Sequence, residues 1–300
     1  MPPPARAGRG VADALSTVLK IAGAVVAPTT LLTGLLFYFG RQHATALFGY
    51  LGVPLTVFDL TPQDYLVRSV DGLFVPLALT AGVVLALHWT YGWVVRVLPP
   101  SADRLLVRWS VPVLLLVGLA LVVVAVAGAR DIAAFATDPE LPGLCLIVGV
   151  LLLAYVVHLQ RSTGPARRSS TAALVAEWAA VFMLVGIGSF WAAGNYASGV
   201  GSGRAVQIEH LLPSTPDAVV YSEKSLGLQV AGVSEHVCAA DDAAYRYRYD
   251  GLKLIFQSGG EYLFLPAGWT HDDGSAIVIP RTDSLRLEFS GPGRAQVGTC

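Results

Sequence analysis

The sequence predicts an α-helical transmembrane bundle of five spans, followed by a small antiparallel all-β C-terminal domain that is extracytoplasmic. Two observations lead to this fold class. Hydrophobic residues make up 54% of the 300 residues and charged residues only 14%, whereas soluble domains carry about 25% charged residues. The apolar residues also form long runs in the first two-thirds of the chain and alternate with polar residues beyond residue 204. The runs indicate membrane helices, and the alternation indicates strands.

Five apolar runs are each long enough to cross a hydrocarbon layer of roughly 30 Å as a helix. Only a helix satisfies its own backbone hydrogen bonds in lipid, so each run is predicted to be a transmembrane helix. The predicted spans are residues 21–40, 72–95, 109–129, 141–160 and 172–193. Together they form a predicted transmembrane domain over residues 21–196.

The segments between the spans predict the orientation of the chain. The N-terminal tail (residues 1–20) and the segments 96–108 and 161–168 each carry three Arg or Lys residues, whereas the two segments that alternate with them are rich in Asp and Glu. Basic segments tend to stay in the cytoplasm. The prediction is a multi-pass protein of the plasma membrane, with a cytoplasmic N-terminus and an extracytoplasmic C-terminus.

The connection between the first two spans is too long and too apolar for a plain loop. Residues 44–51 are predicted to continue the first helix. Thr61 is a predicted N-cap, because Pro62 follows at the first helical position and Asp64 lies in the first turn. The second helix is therefore predicted to begin near Pro62, and the apolar residues 55–60 are expected at the membrane interface or under the outer domain.

The C-terminal third begins with a predicted flexible linker at residues 197–204, where Gly and Ser dominate. The β-rich domain, residues 205–300, is predicted to be a small antiparallel sandwich or barrel. Asp250 with Gly251 predicts one hairpin turn, and Gly259 with Gly260 predicts another. The predicted strands are residues 245–249, 252–257, 261–265, 276–279 and 284–289, with weaker candidates at 206–211, 218–221 and 226–230.

Three ionisable residues inside the spans form a predicted intramembrane polar cluster. Glu177 lies in the fifth span, and His88 and His158 lie in the second and fourth. A carboxylate in lipid is costly and should face the bundle interior, a water-filled cavity or a partner. A pair of His158 and Glu177 could relay protons or bind a cation. The alternatives are a structural hydrogen bond and a side chain that reaches the headgroups.

Outside the spans, Cys238 and Cys300 both fall in the predicted extracytoplasmic domain, where they could form a disulfide. His271, Asp272 and Asp273 are three potential metal ligands in a row, but adjacent residues rarely converge on one ion. The sequence therefore predicts a turn there and no metal site. It also contains no catalytic signature and no cofactor-binding motif. A net charge of −1 gives no reason to expect nucleic-acid binding.

Two stretches carry a resemblance. Residues 49–52 continuing through 60–66 (Gly-Tyr-Leu-Gly and Leu-Thr-Pro-Gln-Asp-Tyr-Leu), and residues 251–256 with 260–266, resemble segments of a family of actinobacterial multi-pass membrane proteins of unknown function. The resemblance implies a membrane layout and no chemistry.

The predicted function is a non-enzymatic anchor or scaffold that presents the β domain to a partner or an envelope component. Two alternatives are a channel or transporter component using Glu177, and a membrane-embedded enzyme that modifies lipids. The expected partners are the lipid bilayer and either a second protein or further copies of this chain.

Overall fold

The structure is a computed structural model that describes residues 7–97, 100–130, 135, 137–163, 170–238 and 244–292. Five long helices come first and six strands follow, which confirms the predicted layout of helices and then sheet. The helices are α1 (Ala7–Tyr50), α2 (Pro62–Val97), α3 (Pro100–Arg130), α4 (Leu141–Thr163) and α5 (Thr171–Leu211). The strands are β1 (Asp217–Ser222), β2 (Ser234–Val237), β3 (Tyr247–Ser258), β4 (Glu261–Pro266), β5 (Ile277–Pro280) and β6 (Leu285–Ser290).

The chain divides into two compact units. The helical unit comprises Met1–Phe39 and Leu66–Tyr196, and the sheet unit comprises Gly40–Tyr65 and Ala197–Cys300. The sheet unit therefore contains the last part of α1 and the last part of α5 as well as all six strands.

Four helices of the described chain are long and apolar enough to cross a membrane. Their apolar segments are Gly72–Thr90, Ser110–Arg130, Leu141–Arg161 and Thr171–Ser214. These overlap the second to fifth predicted spans. The first predicted span, residues 21–40, lies within α1, which is not one of the four, so the count of five spans stays a prediction.

In the helical unit, neighbouring helices approach each other through glycine. A Cβ on Gly149 of α4 would lie 2.9 Å from the carbonyl oxygen of Gly118 on α3, and one on Gly188 of α5 would lie 3.0 Å from that of Gly143 on α4. Real Cβ atoms essentially never lie closer than 3.0 Å to another heavy atom, so Gly149 requires glycine and Gly188 lies at the limit of what a larger residue would allow. Small residues at helix contacts are typical of membrane bundles, where close backbone approach replaces the hydrophobic effect.

The predicted start of α2 is confirmed. The helix begins at Pro62, and Thr61 and Asp64 form a reciprocal cap. The Thr61 backbone N–H donates to Oδ2 of Asp64 at 2.8 Å, and the Asp64 N–H donates to Oγ1 of Thr61 at 3.4 Å. These bonds satisfy two of the N–H groups that the first turn of a helix leaves without an intrahelical partner.

The predicted linker at residues 197–204 is wrong, because this stretch is helical and belongs to α5. Its small residues form a packing stripe: Ala197, Gly201 and Ala205 are buried at four-residue spacing. A Cβ on Gly201 would lie 2.3 Å from the carbonyl oxygen of His43 on α1. The glycine is therefore needed for helix contact, and not for flexibility. The weak strand candidate at 206–211 is wrong for the same reason, since it is the last part of α5.

The strands form one antiparallel sheet in the order β5-β4-β3-β1-β6, with β2 also paired to β3. The described residues thus form a single sheet, and not the predicted sandwich or barrel. The turn at Gly259 and Gly260 is confirmed: both have positive φ, as a two-residue hairpin requires. The weak candidate at 218–221 is confirmed as β1, whereas 226–230 is irregular.

The predicted hairpin at Asp250 and Gly251 is wrong, because β3 runs straight through both residues. Gly251 has a φ of 85°, and the register of β3 against β1 shifts beside it. Asp250 and Gly251 therefore form a bulge within a long strand. The left-handed conformation of Gly251, which the sequence suggested for a turn, serves this bulge instead. On the other side of β3, β2 pairs before the bulge and β4 pairs after it.

Each face of the sheet carries a buried apolar cluster. One face packs on the ends of α1 and α5, where Phe48 lies between Phe58 and Phe256 with ring centroids 4.9 and 5.0 Å away. The predicted packing of residues 55–60 under the C-terminal β-rich domain is thus confirmed at Phe58, while the location of that domain outside the cell stays a prediction. The other face, which includes Tyr249 and Phe264, is covered by the segment between β1 and β2.

Candidate functional site

An open cleft of about 340 Å³ lies in the sheet unit between two loops. The loop between β1 and β2 supplies Gln229 to Ala231, and the loop between β4 and β5 supplies the opposite wall. Both apolar and hydrogen-bonding groups line the cleft. The lining residues include Gln229, Ala231, Gly268, Trp269, Asp273 and Gly274. Small-molecule sites have volumes of about 300–1,000 Å³ and this same mixture of groups, so the cleft lies at the small end of that range.

Trp269 forms the buried base of this cleft. Its side chain is 4% exposed, and its indole N–H has no hydrogen-bond partner in the part of the chain that the structure describes. A Cβ on Gly274 would lie 2.5 Å from the indole nitrogen. Glycine at 274 therefore allows the loop to close directly over the ring.

A polar latch of three residues holds this loop on the helix ends. The Tyr50 hydroxyl donates to Oε2 of Glu209 at 2.7 Å, and the His271 backbone N–H donates to the other carboxylate oxygen at 3.2 Å. The His271 ring stacks on Tyr50 with centroids 4.0 Å apart, and its Nδ1 lies 2.8 Å from the Tyr50 carbonyl oxygen. The hydrogen bond to Glu209 raises the pKa of Tyr50 above its usual value, because it favours the protonated phenol.

The predicted turn at His271, Asp272 and Asp273 is confirmed. The sequence predicts a solvated turn here and gives no sign that His271 contacts Tyr50 at the end of α1 and Glu209 near the end of α5. Among the residues that the structure describes, no group of three or more His, Cys, Asp or Glu side chains is placed to hold a metal ion.

A smaller cavity of about 140 Å³ lies between α4 and α5, where the predicted polar cluster was placed. Glu177 and His158 both line it, as the sequence suggested. The ionic partner of Glu177, however, is Arg161, whose Nη2 lies 2.5 Å from Oε2. His88 lies on α2 and does not line this cavity, so the structure does not bring all three predicted residues together.

Arg161 is the residue of this cavity that the sequence analysis missed. Arg161 and His158 are three residues apart on α4 and hence on one face of the helix. Either side chain was therefore a possible partner for a carboxylate on α5. The three-residue spacing of His158 and Arg161 was the feature of the sequence that could have identified Arg161 as the partner of Glu177.

Cys145 and Cys238 differ in oxidation state, as the sequence suggested. Cys145 is a free thiol within α4, and Cys238 is disulfide-bonded. Cys300 lies outside the described residues, so the pairing of Cys238 with Cys300 stays a prediction.

A buried charge in the sheet unit was also missed. Lys253 of β3 is 2% exposed, donates to the carbonyl oxygen of Thr215 at 2.6 Å and pairs with Asp217 at 2.8 Å. These bonds join the centre of the sheet to the segment that leaves α5, so the role of Lys253 is structural.

Comparison of the chain with known protein families, with curated proteins and with solved structures found no match.

Proposed function

We propose that this protein is a non-enzymatic membrane anchor whose sheet unit binds a partner or an envelope component at the Trp269 cleft. In this proposal the chain lies in the plasma membrane with its N-terminus in the cytoplasm. The sheet unit then faces the outside, where an envelope component would be accessible. The alternation of basic and acidic segments along the sequence supports this orientation.

The observation that carries the proposal is the cleft itself. A buried apolar cluster lies on each face of the sheet, whereas the cleft between the two loops is open to a ligand. The loop that forms one wall is held by the latch of Tyr50, Glu209 and His271. A wall held by side-chain hydrogen bonds loses little conformational freedom on binding, which favours recognition.

The channel or transporter alternative has less support. Glu177 is engaged with Arg161 at the end of an apolar segment, and this ion pair neutralises its charge. A transport path needs polar groups across the whole apolar layer, and the third predicted span, residues 109–129, contains no ionisable residue.

The binding role can be tested by filling the cleft from either wall. A Cβ on Gly268 meets nothing within 4 Å, and Ala231 is exposed on the opposite wall. We expect Gly268→Trp and Ala231→Trp to abolish capture of a component from envelope extracts by the full chain in mild detergent. Gly203→Trp is the matched control, because Gly203 also faces open space but lies on α5 outside the cleft. Equal capture by all three variants would refute the cleft as the binding site.

The orientation is tested separately with reporters. Alkaline phosphatase fused after residue 300 should be active, and a fluorescent protein that folds only in the cytoplasm should be dark at the same position. Fusions within residues 100–108 should give the reverse. A cytoplasmic signal at residue 300 would overturn the proposed location of the sheet unit.

A further inference from the structure

The cavity between α4 and α5 lies where two apolar segments meet the polar boundary. Arg161 is the last residue of the apolar segment of α4, and Glu177 lies two turns after the start of α5. The side chains of Leu174, Trp178 and Val181 line the same cavity. An exposed tryptophan beside an arginine at the end of an apolar helix is typical of the headgroup level of a membrane.

The ion pair between Arg161 and Glu177 engages only some of the polar atoms of these two side chains. Arg161 engages Glu177 through Nη2, and Glu177 engages Arg161 through Oε2. Within the part of the chain that the structure describes, the remaining guanidinium N–H groups and Oε1 of Glu177 have no other hydrogen bond. The two side chains are 43% and 31% exposed, so an outside group can approach both.

We propose that this cavity binds the headgroup of a zwitterionic phospholipid that carries a primary ammonium group. The lipid phosphate accepts hydrogen bonds from Arg161, which has further N–H donors suited to phosphate oxygens. The lipid ammonium donates to Oε1 of Glu177. His158, which lines the same cavity, adds a third polar group beside the headgroup.

Charge and shape both favour this ligand. Arg161 and Glu177 together carry no net charge, so they match a headgroup that is itself neutral and has both signs. A purely anionic headgroup would meet the Glu177 carboxylate. A cavity of about 140 Å³ is below the usual range of roughly 300–1,000 Å³ for drug-sized ligands. It suits a headgroup whose acyl chains lie outside along Trp178 and Val181.

The wild-type chain provides the first test, by native mass spectrometry with phospholipids added at equal concentration. Phosphatidylethanolamine should bind about tenfold more tightly than phosphatidylcholine, which has no N–H to donate, a ratio equal to about 1.4 kcal/mol. The monomethyl and dimethyl lipids should bind with intermediate affinity. Equal binding across this series would overturn the proposal.

Two charge variants form the second test. Glu177→Gln should abolish the preference for phosphatidylethanolamine over phosphatidylglycerol, because it removes the negative partner of the ammonium. Arg161→Gln should weaken binding of both lipids about tenfold. Arg130→Gln is the matched control, because Arg130 also ends an apolar segment but does not line the cavity. It should change nothing.

The assignment to a lipid is tested by soluble phosphoethanolamine, which has the same headgroup without acyl chains. It should not displace bound phosphatidylethanolamine at equal concentration. Displacement would refute the lipid assignment, and an unchanged preference in Glu177→Gln would refute the role of the carboxylate. Both results are independent of the cleft in the sheet unit.

Discussion

The two units of this chain differ in how far their large apolar side chains are exposed. In the helical unit many of these side chains are exposed: Leu116 is 65% exposed and Trp89 is 70% exposed. In the sheet unit few are exposed, and Phe48, Tyr249 and Phe264 are fully buried. A surface rich in leucine and tryptophan would be unfavourable in water, which agrees with the proposed placement of the helical unit in a membrane.

The difference extends to how each unit is held together. The helices of the helical unit contact each other through Gly118, Gly149, Gly143 and Gly188, which allow backbones to approach. The sheet unit is held by buried aromatic rings and by charged groups that find a partner, such as Lys253 with Asp217. With the helical unit in a membrane, as proposed, dispersion at close range would stabilise it, whereas removal of apolar surface from water stabilises the sheet unit.

The largest expected effect comes from truncating an inward side chain. Phe48→Ala should lower the free energy of unfolding by about 3–5 kcal/mol, because it leaves a cavity between Phe58 and Phe256. Leu116→Ala removes an outward side chain and should change stability by less than about 0.5 kcal/mol. Thermal unfolding in detergent measures both. Comparable losses would mean that the two units do not differ in this way.

The next effect distinguishes lipid from water around the helices. Leu116→Arg should reduce the membrane-inserted fraction, with a cost of about 2.5–3.5 kcal/mol for an arginine at the centre of a span. Val237→Arg places the same charge at a position of the sheet unit that is 71% exposed, and should be neutral. Carbonate extraction of membranes measures insertion. Normal insertion of Leu116→Arg would show that α3 does not face lipid.

A third prediction concerns the helical stretch that the sequence suggested was a linker. Gly201→Ala should destabilise the protein by about 1–3 kcal/mol, because its Cβ would lie 2.3 Å from the His43 carbonyl oxygen. Gly203→Ala should stabilise it by about 0.5–1 kcal/mol, because alanine favours a helix and meets nothing there. The melting temperatures of the two variants should therefore shift in opposite directions. A flexible linker would tolerate both changes without effect.

The smallest expected effect is a pH dependence in the latch. The raised pKa of Tyr50 means that its neutral form contributes stability below the unfolded pKa of about 10, and that this contribution is lost as pH rises through the folded pKa. The melting temperature should therefore fall more steeply above about pH 10 in the wild type than in Tyr50→Phe. Parallel curves would exclude Tyr50 as a contributor.

Much of the layout could be predicted because it follows from local rules. Lipid requires a long apolar run, so four helices were identifiable from the sequence alone. The cap of α2 and the turn at Gly259 and Gly260 also depend only on neighbouring residues. Each of these features lies within a few positions of the residues that determine it.

The errors arose where a residue's role depends on a distant part of the chain. Gly201 was interpreted as a sign of flexibility, but its role is set by the backbone of α1, which lies against it. Gly251 was interpreted as part of a turn, but it lies within β3, which pairs with β1 on one side and β2 on the other. The Trp269 cleft is formed by two loops more than thirty positions apart, and nothing in the sequence pairs them. Glu177 was identified correctly as a polar group, but its partner was not.

The composition of the sheet unit has a practical consequence for producing it. The sheet unit includes residues 40–65, which are separated in sequence from the strands by more than 130 residues of the helical unit. A fragment starting at residue 205 would lack Phe48, Phe58 and Tyr50 and would expose their apolar contacts to solvent. A soluble version would need residues 40–65 grafted back through an engineered connection, so ordinary truncation cloning is expected to give inclusion bodies.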